Sequence, residues 1–147
     1  MRIMIADNDE DVVVFLKEAI TKIIDEYELF TAGDGVECLS FLKRNRPPDL
    51  IFLNLNMPLR SGVECLQIIR RNYLSESTSI IIYSELHNMR DIDKCYKSGA
   101  DFYMVKPDTV CEAVNMIEGI LNQLGRREAT QRLKNEFVIM SRKDMIS

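Results

Sequence analysis

Four short apolar runs in this sequence end in residues that could handle a phosphoryl group. Ile3 to Ala6 leads into Asp7, Asn8 and Asp9, and Leu50 to Leu53 leads into Asn54 and Asn56. Ile80 to Tyr83 is followed by Ser84, and Phe102 to Val105 by Lys106 and Pro107. Carboxylates, amides, a hydroxyl and an ammonium suit that task, because phosphoryl oxygens need a cationic or metal clamp together with hydrogen-bond donors. A solvated edge would explain any one of these residues. Four runs ending in matched polar chemistry point instead to a site.

The elements that must position these residues follow from periodicity. The four runs and Leu29 to Thr31 are rich in β-branched and aromatic residues, and read as five strands. Between them lie helical patterns. Val12, Leu16, Ile20 and Ile24 recur every four residues, and Phe15, Ala19 and Ile23 widen the same stripe. Asp34 to Asn45, with Val36, Leu39 and Leu42, and Gly62 to Asn72, with Val63, Leu66 and Ile69, supply the second and third helices. Asn88 to Ser98 has only Met89, Ile92, Cys95 and Tyr96 as anchors before Gly99, so the fourth is expected to pack least firmly. Val110, Ala113, Val114, Ile117, Leu121 and Leu124 mark a strong fifth before Gly125. Strict strand–helix alternation predicts an α/β fold, a doubly wound parallel sheet covered by helices on both faces. Ligand sites in such sheets lie beyond the carboxyl ends of the strands, where all four polar groups fall.

The 147 residues, 46% hydrophobic and 29% charged, suit one globular domain. The uncharged apolar stretches fall far short of the roughly 20 residues a membrane helix needs. The amino terminus meets Asp7 too soon to supply the apolar region of a secretory signal, so a cytoplasmic location is expected. Cys38, Cys65, Cys95 and Cys111 are widely spaced, with no CxxC pair, and His87 is the only histidine. That spacing argues against zinc and against a disulfide framework. His87 reads as a surface residue. Lys43-Arg44 and Arg70-Arg71 read as cations favoured by helix carboxyl termini. Residues 1–125 carry 13 Lys and Arg against 20 Asp and Glu, while the last 22 residues carry six against three. An acidic body offers nucleic acid no broad footprint.

These residues resemble the receiver domains of two-component response regulators over essentially all of residues 1–124. Ile3 to Asp9 is similar to the family's first strand and acidic pair. Pro48 to Pro58 is similar to its phosphorylation-site segment, Ser79 to Ser84 to the strand ending in the switch hydroxyl, and Gly99 to Pro107 to the stretch carrying the switch aromatic and the lysine. The resemblance implies a flavodoxin-like sheet of order 2-1-3-4-5 with five helices in three α/β/α layers. It also implies Ser84 and Tyr103 as switch residues, Lys106 as the phosphate contact, and a usually cis bond before Pro107. Partners, a histidine kinase or a downstream effector, are implied on the face of helix four, strand five and helix five.

The departures from the family matter more. Its phosphoacceptor is an aspartate at the position of Asn54, and one of its direct Mg²⁺ ligands is an acid at the position of Asn8. An amide nitrogen forms no acyl phosphate, and an amide oxygen is a poorer ligand for a hard cation. A metal set of Asp7, Asn8, Asn54 and Asn56 should therefore bind Mg²⁺ weakly at most, and no cofactor is required. Crowded acids repel one another in a typical receiver, and replacing two of them removes much of that strain. A single resting conformation acting through protein–protein interaction is expected, not a phosphate-driven switch. Asn54 alone would also fit a substitution made to block phosphorylation; Asn8 favours a natural variant.

Residues 125–147 form a basic tail too short for an output domain, so the chain resembles a single-domain regulator. Ala129, Leu133, Phe137 and Met140 would place one apolar stripe on a tail helix, packed on residues 1–124, frayed, or paired in a homodimer. Two other functions fit parts of the sequence. One is a phosphoaccepting receiver, using Asp7 or Asp9, or an acid at position 54 in the native protein. The other is a haloacid-dehalogenase-type phosphohydrolase with Asp7 as nucleophile, Asp9 as general acid and base, and Ser84 and Lys106 in later motifs. That enzyme needs a further acidic motif after the lysine, where only Asp108 follows closely.

Overall fold

A computed structural model describes residues 1–72, 77–125, 134–141 and 144–145. Its elements alternate as β1 (Arg2–Ala6), α1 (Glu10–Thr21), β2 (Glu28–Ala32), α2 (Gly35–Arg44), β3 (Leu50–Leu53) and α3 (Gly62–Arg71). They continue as β4 (Ser79–Ser84), α4 (Met89–Lys97), β5 (Phe102–Val105), α5 (Val110–Gly125), α6 (Lys134–Phe137) and β6 (Val138–Ile139). The strands form one parallel sheet of order β2-β1-β3-β4-β5-β6. The expected five-strand order is present, and a sixth strand extends it.

Period-2 alternation divides the strand side chains between two cores. Met4, Ala6, Ile51, Leu53, Ile80, Ile82, Tyr103 and Val105 join the buried faces of α2, α3 and α4. Ile3, Ile5, Leu50, Phe52, Ile81, Tyr83, Phe102 and Met104 join those of α1 and α5. Both faces of the sheet are therefore apolar, which explains why the strands read as continuous hydrophobic runs. Asp9, Asp34, Ser61 and Asn88 cap α1, α2, α3 and α4 by accepting backbone N–H bonds. In α4 only Ile92 and Cys95 are buried, and Met89 is exposed.

Two expectations are corrected. The stripe through Ile24 overran α1, which ends at Thr21; Ile23 and Ile24 still pack on the core from the turn that leads into β2. The proposed tail helix is not continuous. Ala129 and Leu133 lie outside the described residues, Phe137 ends the single turn of α6, and Met140 follows β6. Val138 and Ile139 are β-branched and pair with Tyr103 and Met104 on the otherwise open edge of β5. Tertiary pairing thus overrides the local helical spacing.

Candidate functional site

The ends of β1, β3, β4 and β5 enclose a cavity of about 250 Å³ lined by Asp7, Asn8, Asp9, Asn54, Asn56, Ser84, Glu85, Leu86 and Lys106. The parallel register sets this convergence, because Ala6 lies level with Leu53, and Ser84 with Val105. Backbone bonds extend the alignment past the strand ends: Asn54 N donates to Ala6 O at 3.0 Å, and Lys106 N to Ser84 O at 2.8 Å.

Asp7 is the buried charge of the cavity, with its side chain 2% exposed. Lys106 Nζ lies 3.1 Å from Asp7 Oδ2 and 5.3 Å from the centroid of the Tyr83 ring. Asp7 Oδ1 accepts from Asp9 N at 2.9 Å, so both carboxylate oxygens have partners. Asp9 is exposed, and its carboxylate is engaged as the cap of α1, accepting from Asp11 N at 2.9 Å. Asn54 is buried, and its Nδ2 donates to Asn8 Oδ1 at 3.3 Å and to Asn56 O at 3.1 Å. The loop after Asn54 is held by Gly62, whose N donates to Leu55 O at 2.8 Å. A Cβ at Gly62 would come within 2.1 Å of Asn54 O, so only glycine permits this approach.

Ser84 Oγ accepts from Leu86 N at 3.2 Å, folding the β4–α4 loop back over the strand end. Tyr103 does not line the cavity. Its ring is fully buried on the α4 face of the sheet, and its hydroxyl donates to Leu86 O. Burial is the main cause that pushes the Tyr103 phenol up to about 12. Pro107 lines an adjacent hollow with Glu85, His87, Val105, Lys106, Asp108 and Asp144. The Lys106–Pro107 bond is trans, since no described peptide bond is cis, against the form implied by resemblance.

Residue types alone did not reveal three features. The carbonyls of Leu86 and Asn56 organise the site, and backbone acceptors leave no mark on a sequence. Arg70 is more than a cation at a helix end: it reaches Gly99 O at 3.0 Å, Thr78 O at 3.1 Å and Asp101 Oδ2 at 2.9 Å. It thereby ties α3 to the entrances of β4 and β5. Phe137 packs against Tyr96 and Tyr103: packing of the tail on residues 1–124 was among the expectations, but these two ring partners were not. The four cysteines are free, as the spacing implied; Cys38, Cys65 and Cys95 are buried and Cys111 is exposed. Among the described residues no group of three or more His, Cys, Asp or Glu is placed to hold a metal ion. No described helix is long and apolar enough to cross a membrane.

A flavodoxin-like sheet with its polar cluster at the carboxyl edge, and an aromatic beneath the loop that borders that cluster, defines a class of signalling module. The class is the receiver of two-component systems. The family model for the response regulator receiver domain matches residues 3–118, and the chain belongs to that family. The transcriptional regulatory protein PrrA of Mycobacterium tuberculosis is 31% identical over 124 residues, covering 84% of this chain and 51% of its own. Response regulator Rcp1 of Synechocystis is 27% identical over 124 residues, covering 80% and 84% respectively. The crystal structure of the phosphorylated cyanobacterial phytochrome response regulator RcpA superposes with a TM-score of 0.77 at 23% identity, covering 86% of this chain and 96% of that one, a likeness of fold. The chain spans about half the length of PrrA.

Proposed function

We propose that this receiver is a cytoplasmic signalling module that works by protein–protein interaction without phosphorylation at position 54, taking neither a cofactor nor nucleic acid. The observation that carries this reading is Asn54 buried at the end of β3, with its amide bonded to Asn8 Oδ1 and Asn56 O, at the place where the family resemblance puts the acceptor. An amide offers no carboxylate oxygen to attack phosphorus. The two acids after β1 are already engaged, Asp7 by Lys106 and Asp9 N, and Asp9 by the start of α1.

The same donor set argues against a tightly held Mg²⁺. A hard cation that surrenders water reluctantly favours several carboxylates, and here the one buried carboxylate of the cavity, Asp7, is paired with Lys106 while Asn8, Asn54 and Asn56 offer amides. Asp7 Oδ2 faces an ammonium, and Asn56 O faces the Asn54 amide. The buried charge of Asp7 is compensated by Lys106 without metal, which supports one resting conformation in which Tyr103 stays buried with its hydroxyl on Leu86 O. The phosphohydrolase reading gains no support, because Asp7 is paired and Asp108 lines a different hollow.

Intact mass spectrometry after incubation with Mg²⁺ and acetyl phosphate tests this reading. The unmodified chain should gain no phosphate, while Asn54→Asp should gain one. A phosphate on the unmodified chain, lost in Asp7→Asn, would overturn the proposal. Calorimetric titration with Mg²⁺ provides a second check: the Asn8→Asp, Asn54→Asp double variant should bind more tightly than the unmodified chain.

A further inference from the structure

Residues 137–139 lie over the β5 edge and touch all three elements around it. Phe137 is 1% exposed, with its ring centroid 5.3 Å from that of Tyr96 on α4 and 6.3 Å from that of Tyr103 on β5. Val138 pairs with Tyr103 and packs into the α4-side core. Ile139 pairs with Met104 and packs into the core shared with α5. Phe137 closes α6 and Val138 and Ile139 form β6, so one aromatic and two aliphatic side chains fill successive places at this edge.

The hold is short. The β5–β6 ladder has two registered residue pairs, whereas every other ladder in the sheet has at least four. Two parallel pairs supply few backbone bonds, so the burial of Phe137 carries much of the attachment. The surface beneath it has the three features that strand addition requires: an open backbone edge, an aromatic-lined recess and apolar places on both faces.

We propose that Phe137-Val138-Ile139 is a displaceable internal ligand, and that the partner of this protein binds by adding a strand. The incoming chain pairs two aliphatic residues parallel to β5 and seats the aromatic before them against Tyr96 and Tyr103, in place of residues 137–139. Identifying that chain as a signalling partner rests on the function proposed above. The strand exchange itself does not depend on Asn54, so it is tested without phosphate or Mg²⁺.

The test uses the full chain carrying Phe137→Asp, with a synthetic peptide of residues 134–145 as probe. All three buried thiols share the core of Phe137, but Cys95 lies on α4 beside Tyr96, which Phe137 covers, so its alkylation reports uncovering; Cys38 on α2 and Cys65 on α3 report general opening. Cys95 should react at least about tenfold faster in the variant, the effect of losing one tenfold step in the closed population, while Cys38 and Cys65 keep their rates. The peptide should bind the variant at least about tenfold more tightly than the unmodified chain and slow Cys95 again. A peptide with aspartate in place of its phenylalanine should do neither. Equal acceleration of all three thiols would show that Phe137 is ordinary core, and failure of the peptide to bind the variant would show that the edge accepts no strand; either overturns the proposal. If Phe137→Asp does not fold, Phe137→Ala is read in the same way with the same peptide.

Discussion

Lys106 and Asp7 set the electrostatics of the pocket at the scale of single residues. Burying a carboxylate is tolerable only when its charge is compensated. Lys106→Met would leave Asp7 uncompensated, and urea unfolding should show a loss of about 3–5 kcal/mol. Adding Asp7→Asn to that variant should restore part of the loss, because no buried charge then remains. A double variant as unstable as Lys106→Met alone would show that packing of the lysine stem, not its charge, dominates. Tyr103→Phe should cost about 1 kcal/mol through the lost bond to Leu86 O. Most polar side chains of this pocket were legible in the sequence because they fall within a few residues of an apolar run; Glu85 was not singled out. What they bond to was not, since the carbonyls of Leu86 and Asn56 are common to every residue type.

Two contacts between elements govern how the sheet edge is assembled. Gly62 opens α3 against the backbone of Asn54, and Gly62→Ala forces overlap with an atom that cannot swing aside. Overpacking of this kind should cost about 1–3 kcal/mol and shift the amide resonances of Asn54 and Leu55. Arg70→Met removes the partner of a buried carboxylate at Asp101, whose Oδ2 also accepts from Ile80 N at 2.7 Å. Its urea midpoint should fall well below that of Arg71→Met, an exposed neighbour, and equal midpoints would refute the structural role of Arg70. Strand positions were legible because both faces of the sheet are buried, which leaves uninterrupted apolar runs. The end of α1 was not, because Ile23 and Ile24 keep the helical spacing while the backbone has already turned toward β2.

Across the whole molecule, buried neutral acids set the response to alkali. Burial, the leading cause in each case, pushes Cys38 and Cys95 from 9.0 up to about 12 and Cys65 up to about 11. It also pushes Tyr103 from 10.0 up to about 12, and raises Tyr83. In the unfolded chain these groups lose their protons at their ordinary values, whereas the folded chain retains them to higher pH. Their contribution is therefore complete below about pH 9 and declines as pH rises through about 12. The urea midpoint should be flat from about pH 7 to 8.5 and fall steeply above that, less steeply in Tyr103→Phe. The alternation of five strands with five helices was legible from periodicity alone. The sixth strand was not, because two β-branched residues make no pattern until an open edge selects them. That edge also bears on synthesis. The chain is made from its amino end, and β6 begins 33 residues beyond the end of β5. At typical elongation rates the uncharged strand Phe102-Tyr103-Met104-Val105 must wait roughly two to seven seconds before its own cover exists. During that interval its outer backbone edge is open to mispairing with a neighbour, which a chaperone would prevent.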